Sequence, residues 1–242
     1  STLVEFDENY DLQNMLAESI ETSDDGLVLT VSLRDATFHN GDPITAEDVK
    51  FTFEFISDNA GIFPTATSPP YESIEVVDES TVEFTLSEVF RPLIRNTFGR
   101  WGILHRDTWS AAVGNAGEFD FDPIIGSGPF QVDDIQRGSF MRLTPHDGHP
   151  VHDVGHNVLL QAFADNESIV QAFQNDDLDM VSQIGPSTQE QLSDTMGDSV
   201  AFVEQAEPTG FYLYPQHPQS PVKFREFRQA LGMSFNRQQI HD

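Results

Sequence analysis

The sequence contains no cysteine, which excludes a disulfide framework, a thiolate zinc site and a cysteine nucleophile. Lysine occurs only at Lys50 and Lys223. Lys and Arg together number 12 against 40 Asp and Glu, for a formal net charge of −28. A phosphate-binding face needs clustered Lys and Arg, so this composition argues against nucleic acid as a partner. No apolar run approaches the ~18 residues of a membrane span, and no signal-peptide pattern is present. No P-loop, Gly-x-Ser-x-Gly elbow or His-Glu-x-x-His motif occurs, which weighs against the enzyme classes those motifs serve. The chain opens at Ser1-Thr2-Leu3 and closes at His241-Asp242 within a helical pattern that lacks a cap. The expectation is an excised piece of a longer polypeptide.

The 242 residues suffice for one or two domains at roughly 150 residues each. With 38% apolar residues and 16 glycines, the composition is that of a globular chain rather than a disordered one. Acidic proteins usually keep lysine to pair with glutamate; this one does not. Carboxylates hold water and counterions at high salt, where screening suppresses their repulsion. The composition points to a protein adapted to brine, with an ordinary acidic protein as the competing reading.

The residue pattern reads as mixed α/β. Residues 27–33 are a strand of β-branched and apolar residues after the turn Ser23-Asp24-Asp25-Gly26. Thr45 is an N-cap with Glu47 and Asp48 in the first turn of a helix, and Val49, Phe53 and Ile56 form its apolar face. Residues 74–77 and 81–86 are paired strands around Asp78-Glu79-Ser80. Residues 91–104 are apolar and partly buried, and 114–123 read as a linker. Further strands are expected at 126–132, 140–144, 157–163, 178–181 and 201–204, with helices at 166–173, 186–196 and 224–240. This alternation implies a partly parallel sheet. In the last helix Phe224, Phe227, Ala230, Leu231 and Phe235 share one face.

The segment Leu33-Arg34-Asp35-Ala36-Thr37-Phe38-His39-Asn40-Gly41-Asp42-Pro43-Ile44-Thr45-Ala46-Glu47-Asp48-Val49 closely resembles the signature of the extracellular solute-binding proteins, family 5, the peptide-binding components of ABC importers. Asn40 stands where that family usually has Asp. The resemblance continues in order through Ile103-Leu104, Gly126-Ser127-Gly128-Pro129-Phe130, Leu178-Asp179-Met180 and residues 221–231. His105 follows Leu104 where the family has Pro.

This resemblance implies an α/β fold: a partial lobe of the periplasmic-binding-protein type II kind with an inserted small α/β domain. Residues 1–123 correspond to the extra domain of lobe I and 124–232 to the main part of lobe I. Residues 233–242 correspond to the start of lobe II. It implies a monomeric, extracellular, lipid-anchored protein that captures di- or oligopeptides and delivers them to a membrane permease. It implies no catalysis and no cofactor. Relatives carry nickel chelates or oligosaccharides as well, which keeps those ligands open as alternatives. The family's Asp for a peptide N-terminus falls in the second lobe.

A peptide cleft needs aromatic walls and polar groups. Arg100 and Trp101 sit beside flexible backbone, and Arg100 suits a ligand carboxylate. Gly210, Phe211, Tyr212 and Tyr214 resemble the stretch where the family's first lobe lines its cleft. Aromatics also dominate cores, so core packing is the competing expectation for each. His146, His149, His152 and His156, with Asp147 and Asp153, carry metal-ligating groups. Their spacing fits no helical site, and Pro145, Gly148, Pro150 and Gly155 make a loop of the segment, so the expectation is a solvated loop without metal, with capture of zinc, nickel or a metal chelate through these histidines kept as the alternative. A carboxylate-dependent hydrolase is the remaining alternative, since 40 carboxylates produce pairs by chance. The Gly41-Asp42-Pro43 turn is structural, and Arg34 is expected to pair with a nearby carboxylate.

Overall fold

In the computed structural model, residues 1–59, 69–114, 124–182, 184–203 and 221–235 are described. The chain divides into two compact units, Ser1–Asp165 and Asn166–Asp242.

The first unit holds nine strands among its described residues: β1 (Val4–Phe6), β2 (Leu12–Asn14), β3 (Ala17–Thr22), β4 (Val28–Leu33), β5 (Tyr71–Asp78), β6 (Thr81–Leu86), β7 (Phe130–Gln136), β8 (Phe140–Pro145) and β9 (Val158–Gln161). Helix α1 (Ala46–Asp58) lies between β4 and β5, and the short helix α2 (Arg106–Trp109) precedes β7. The strands form a β1-β2 ribbon, a β3-β4-β6-β5 sheet and a β7-β8-β9 sheet. Every pairing among the described residues is antiparallel, which corrects the partly parallel sheet expected from the sequence. Parallel neighbours need a crossover between them. Here β5 and β6, β7 and β8, and β8 and β9 return directly on one another.

The core follows from two periodicities meeting. Along β4 and β6 every second residue is buried, and the register sets Leu29 opposite Phe84 and Val31 opposite Val82. The α1 face of Val49, Phe53 and Ile56 is buried with them. Phe53 is fully buried. Its ring meets Phe84 edge-on at 5.1 Å and Phe98 at 5.4 Å, and lies tilted against Trp101 at 5.3 Å. Such packing of rings adds to the burial of their apolar area.

The start of α1 bears out the capping expectation. The Asp48 carboxylate accepts from the Thr45 N–H at 2.9 Å and from Thr45 Oγ1 at 2.7 Å. It also accepts from the Arg106 N–H at 3.0 Å, so one buried carboxylate serves the first turns of both α1 and α2. Thr52, buried within α1, donates to the Asp48 carbonyl and accepts from the Leu104 N–H. Gly41 has φ +88°, as the turn before α1 requires. Among the described residues Arg34 does not form the expected ion pair. Its Nε donates to the Ala17 carbonyl at 3.3 Å, because β3 brings backbone rather than a carboxylate within reach.

The second unit contains α3 (Asn166–Gln174), α4 (Pro186–Met196) and α5 (Arg225–Ser234). Val170 and Leu192 are buried there, and Gln174 Nε2 donates to Thr195 Oγ1 at 2.8 Å. The strands expected at 178–181 and 201–204 do not form at 178–181 or 201–203. No partner strand pairs with them among the described residues, and Met180 and Val203 are largely exposed. Residue 204, the 114–123 linker beyond Gly114, and the helix expected past Phe235 lie outside the described residues.

Candidate functional site

Of the six residues expected to contact a ligand, Gly210, Phe211, Tyr212 and Tyr214 lie outside the described residues. Arg100 and Trp101 follow a π-helical stretch, Leu93–Phe98, and both donate backbone N–H groups to the Thr97 carbonyl. There they part. Arg100 is exposed, whereas Trp101 is 6% exposed and packs on Phe53 in the core.

Two open depressions mark the surface. One, about 450 Å³, runs between the turn at residues 23–26 and residues 89–91. The other, about 240 Å³, lies over β8 and β9 around Phe140, Arg142 and Leu159. Neither includes Arg100.

A polar constellation joins distant parts of the first unit, and it alters the reading of His146. His146 is buried, not solvated. Its Nδ1 lies 3.2 Å from the Gly128 carbonyl and its Nε2 3.3 Å from Thr37 Oγ1. His39 meets it edge-on, with ring centroids 4.9 Å apart. The Gly126 N–H donates to His39 Nδ1 at 3.3 Å, and His39 Nε2 donates to the Gly128 carbonyl at 3.1 Å. His149 Nδ1 accepts from the backbone N–H of His152 at 2.9 Å and of Val151 at 3.4 Å. Its Nε2 faces Ser1 Oγ at 3.0 Å, and Ser1 Oγ donates to the Ser127 carbonyl at 2.7 Å. His152 stacks on His149 at 5.2 Å and reaches Glu5 at 3.1 Å.

Donor placement fixes the protonation of two of these rings. A nitrogen that accepts from a backbone N–H has no room for its own proton. His39 and His149 are therefore neutral. Burial lowers the His39 pKa, against the hydrogen bond to the Gly128 carbonyl, which raises it; burial and then the neighbouring charge of His152 bring that of His149 to about 4. The arrangement ties the histidine loop to the chain start, the signature loop and the 126–128 lead-in. Among the described residues no group of three or more His, Asp or Glu is placed to hold a metal ion.

Among the described residues, the carboxyls with displaced pKa values sit in turns. Asp7, Asp25 and Asp78 are all lowered, chiefly by the Asp11 N–H, the Ser23 hydroxyl and the Ser80 N–H respectively. That is turn chemistry, whereas a general acid needs its pKa raised.

Sequence reasoning missed the roles of Glu5, Thr37, His39 and Ser127. They sit far from the histidine loop in the chain, and no local pattern links them to it. His105, noted only where it replaces a proline, is buried. It bridges Thr108 Oγ1 at 2.7 Å and Asp42 at 3.0 Å, tying the signature loop to α2.

Residues 11–242 match the bacterial extracellular solute-binding proteins, family 5 (middle). The chain belongs to this family. The "Probable D,D-dipeptide-binding periplasmic protein DdpA" of Escherichia coli K12 is 28% identical over 228 residues, covering 93% of this chain and 44% of that protein. The "Oligopeptide-binding protein AppA" of Bacillus subtilis is 25% identical over 253 residues, covering 99% of this chain and 45% of its own length. Among solved structures, NikZ from Campylobacter jejuni in complex with Ni(L-His) superposes with a TM-score of 0.69 at 26% identity, over 81% of this chain and 39% of that one. The AppA structure with a nonapeptide gives 0.63 at 26% identity, over 74% and 36%. The chain thus spans less than half the length of these relatives. The neighbours bear out the fold read from the signature: a partial lobe of a periplasmic binding protein. No helix among the described residues is long and apolar enough to cross a membrane.

Proposed function

We propose that this chain is part of the solute-binding component of an ABC importer that captures di- or oligopeptides outside the membrane and hands them to a permease. The observation that carries this reading is the family match across nearly the whole chain, with relatives named for dipeptide and oligopeptide binding. The mechanism is lobe closure on the ligand, a hinge motion that a permease recognises. No chemical step is needed. In this reading residues 1–123 form the extra domain of lobe I, 124–232 its main part, and 233–242 lead into lobe II. The full-length protein is a monomer held at the cell surface by a lipid anchor. Arg100 supplies an exposed cation for a ligand carboxylate, Trp101 supports it from the core, and Gly210, Phe211, Tyr212 and Tyr214 line the cleft. The net charge of −28 suits work in concentrated salt.

A second reading, capture of a nickel chelate, is favoured by the similarity to NikZ with Ni(L-His). A chelate brings its own ligands, so the reading does not require a protein metal centre. Native mass spectrometry of the full-length protein, followed by calorimetric titration in molar salt with di- to pentapeptides and with Ni(L-His), separates the two. A co-purified or titrating peptide supports the proposal. Nickel chelate binding without peptide binding overturns it.

A further inference from the structure

We propose that His39 and His149 form an acid-sensitive clasp: while neutral, His39 holds the Gly126 N–H of the strand lead-in to the signature loop and His149 holds the Val151 and His152 N–H groups of its own loop, and their protonation releases these backbone amides.

The geometry carries this. Each ring spends its Nδ1 as an acceptor for backbone N–H groups: Gly126 for His39, and His152 with Val151 for His149. Each ring uses Nε2 toward a further anchor: the Gly128 carbonyl for His39 and Ser1 Oγ for His149. A proton added at Nδ1 would face N–H groups that cannot turn away, since they belong to the backbone. The Nδ1 contacts therefore fail when the rings charge, while the Nε2–H contacts to the Gly128 carbonyl and Ser1 Oγ and the 2.8 Å bond from the His39 N–H to the Gly126 carbonyl persist. His146 differs. Its Nδ1 faces a carbonyl and its Nε2 a hydroxyl, which can donate to the ring or accept from it. His152 differs again, since its Nε2 faces the Glu5 carboxylate at 3.1 Å.

The remaining charged groups around the clasp do not replace it. On β1, Glu5 is engaged with His152. The α-amino group of Ser1 donates to Ser127 Oγ, and burial lowers its pKa to about 6. In the signature loop Asp42 is turned to His105. Asp147 and Asp153 flank the loop histidines and form no ion pair among the described residues. His156 lies against Phe130, with ring centroids 6.0 Å apart. The segment at residues 126–128 has no charged side chain.

The sign follows from linkage. Both rings have folded pKa values below the ordinary histidine value of 6.5, so the opened state binds more protons. The stability of the clasp is whole above about pH 6.5 and is lost as pH falls toward about 4, the value for His149.

The test is amide hydrogen exchange of the intact chain in constant molar KCl, read at the Gly126 and His152 amides and corrected for intrinsic rates. Protection is expected to fall by up to about tenfold per pH unit for each proton taken up between pH 6.5 and 5. The double variant His39→Asn, His149→Asn keeps an acceptor near each Nδ1 but cannot charge, and should flatten the profile. The Ser1 amine and the carboxylates are common to both proteins and cancel in the comparison. Equal protection at pH 7 and pH 5 in the wild type, or an unchanged slope in the double variant, overturns the proposal. If that variant fails to fold, the wild-type ring resonances decide: either His39 or His149 titrating at or above pH 6.5 overturns it, and both titrating below supports it.

Discussion

Helices α1 and α5 carry apolar stripes of similar clarity in the sequence, yet they end in opposite environments. The α1 stripe is buried against the β3-β4-β6-β5 sheet and the rings of Phe98 and Trp101. The α5 stripe is open: Phe224, Phe227 and Phe235 are 53%, 39% and 46% exposed. The period of a helix says which residues share a face, not what covers that face. The sheet that faces α1 is made from the same stretch of chain, whereas nothing among the described residues buries the stripe of α5.

The largest test of this contrast is a matched truncation. Phe53→Ala should cost about 3–5 kcal/mol, the range for deleting a buried ring, and Phe227→Ala about 0.5 kcal/mol or less, as for surface positions. Urea unfolding of the chain measures both, and equal costs would break the comparison. Next is Gly148→Ala. A Cβ there would stand 2.5 Å from Thr37 Oγ1 and 2.9 Å from His146 Nε2, so a loss of about 1–3 kcal/mol is expected from overpacking. An unchanged midpoint would show that the histidine loop yields freely. Asp48→Ala, which removes the acceptor shared by α1 and α2, should cost about 1–2 kcal/mol by analogy with lost caps, with far-ultraviolet dichroism reporting earlier helix loss.

The smallest effect concerns the outer face of the same sheet. Glu75 lies directly opposite Glu83, and like charges so placed repel. Glu83→Lys should stabilise by about 0.2–1 kcal/mol at low salt and by less in molar KCl, where the Debye length is about 3 Å. A Tm gain that persists at high salt would indicate packing rather than charge. The wild type, with net charge −28, should itself melt higher in molar KCl than in dilute buffer. A flat Tm would remove the case for adaptation to brine.

Much of the first unit was legible because its chemistry is local. Thr45 with Asp48, Gly41 in its turn, and the alternation along β4 and β6 each involve neighbours in sequence, and the structure bears them out. The candidate ligand residues divide differently. Arg100 and Trp101 are adjacent, so no sequence pattern separates them. The backbone turn after Thr97 sends one side chain to solvent and the other to the Phe53 core. The burial of His146 was missed for the related reason that the glycines and prolines around it signal a solvated turn. The loop's partners His39, Thr37 and Glu5 arrive from far earlier in the chain.

The sequence by itself determined the family, through motifs kept in order, and the local elements, through periodicity and capping. It also determined the acidity of the protein, since net charge depends on composition alone. Tertiary structure alone decided that β4 pairs antiparallel with both β3 and β6, that Trp101 belongs to a core, and that His39 meets the histidine loop. Those outcomes depend on which distant segments share space, and contacts of that kind leave no trace in local spacing.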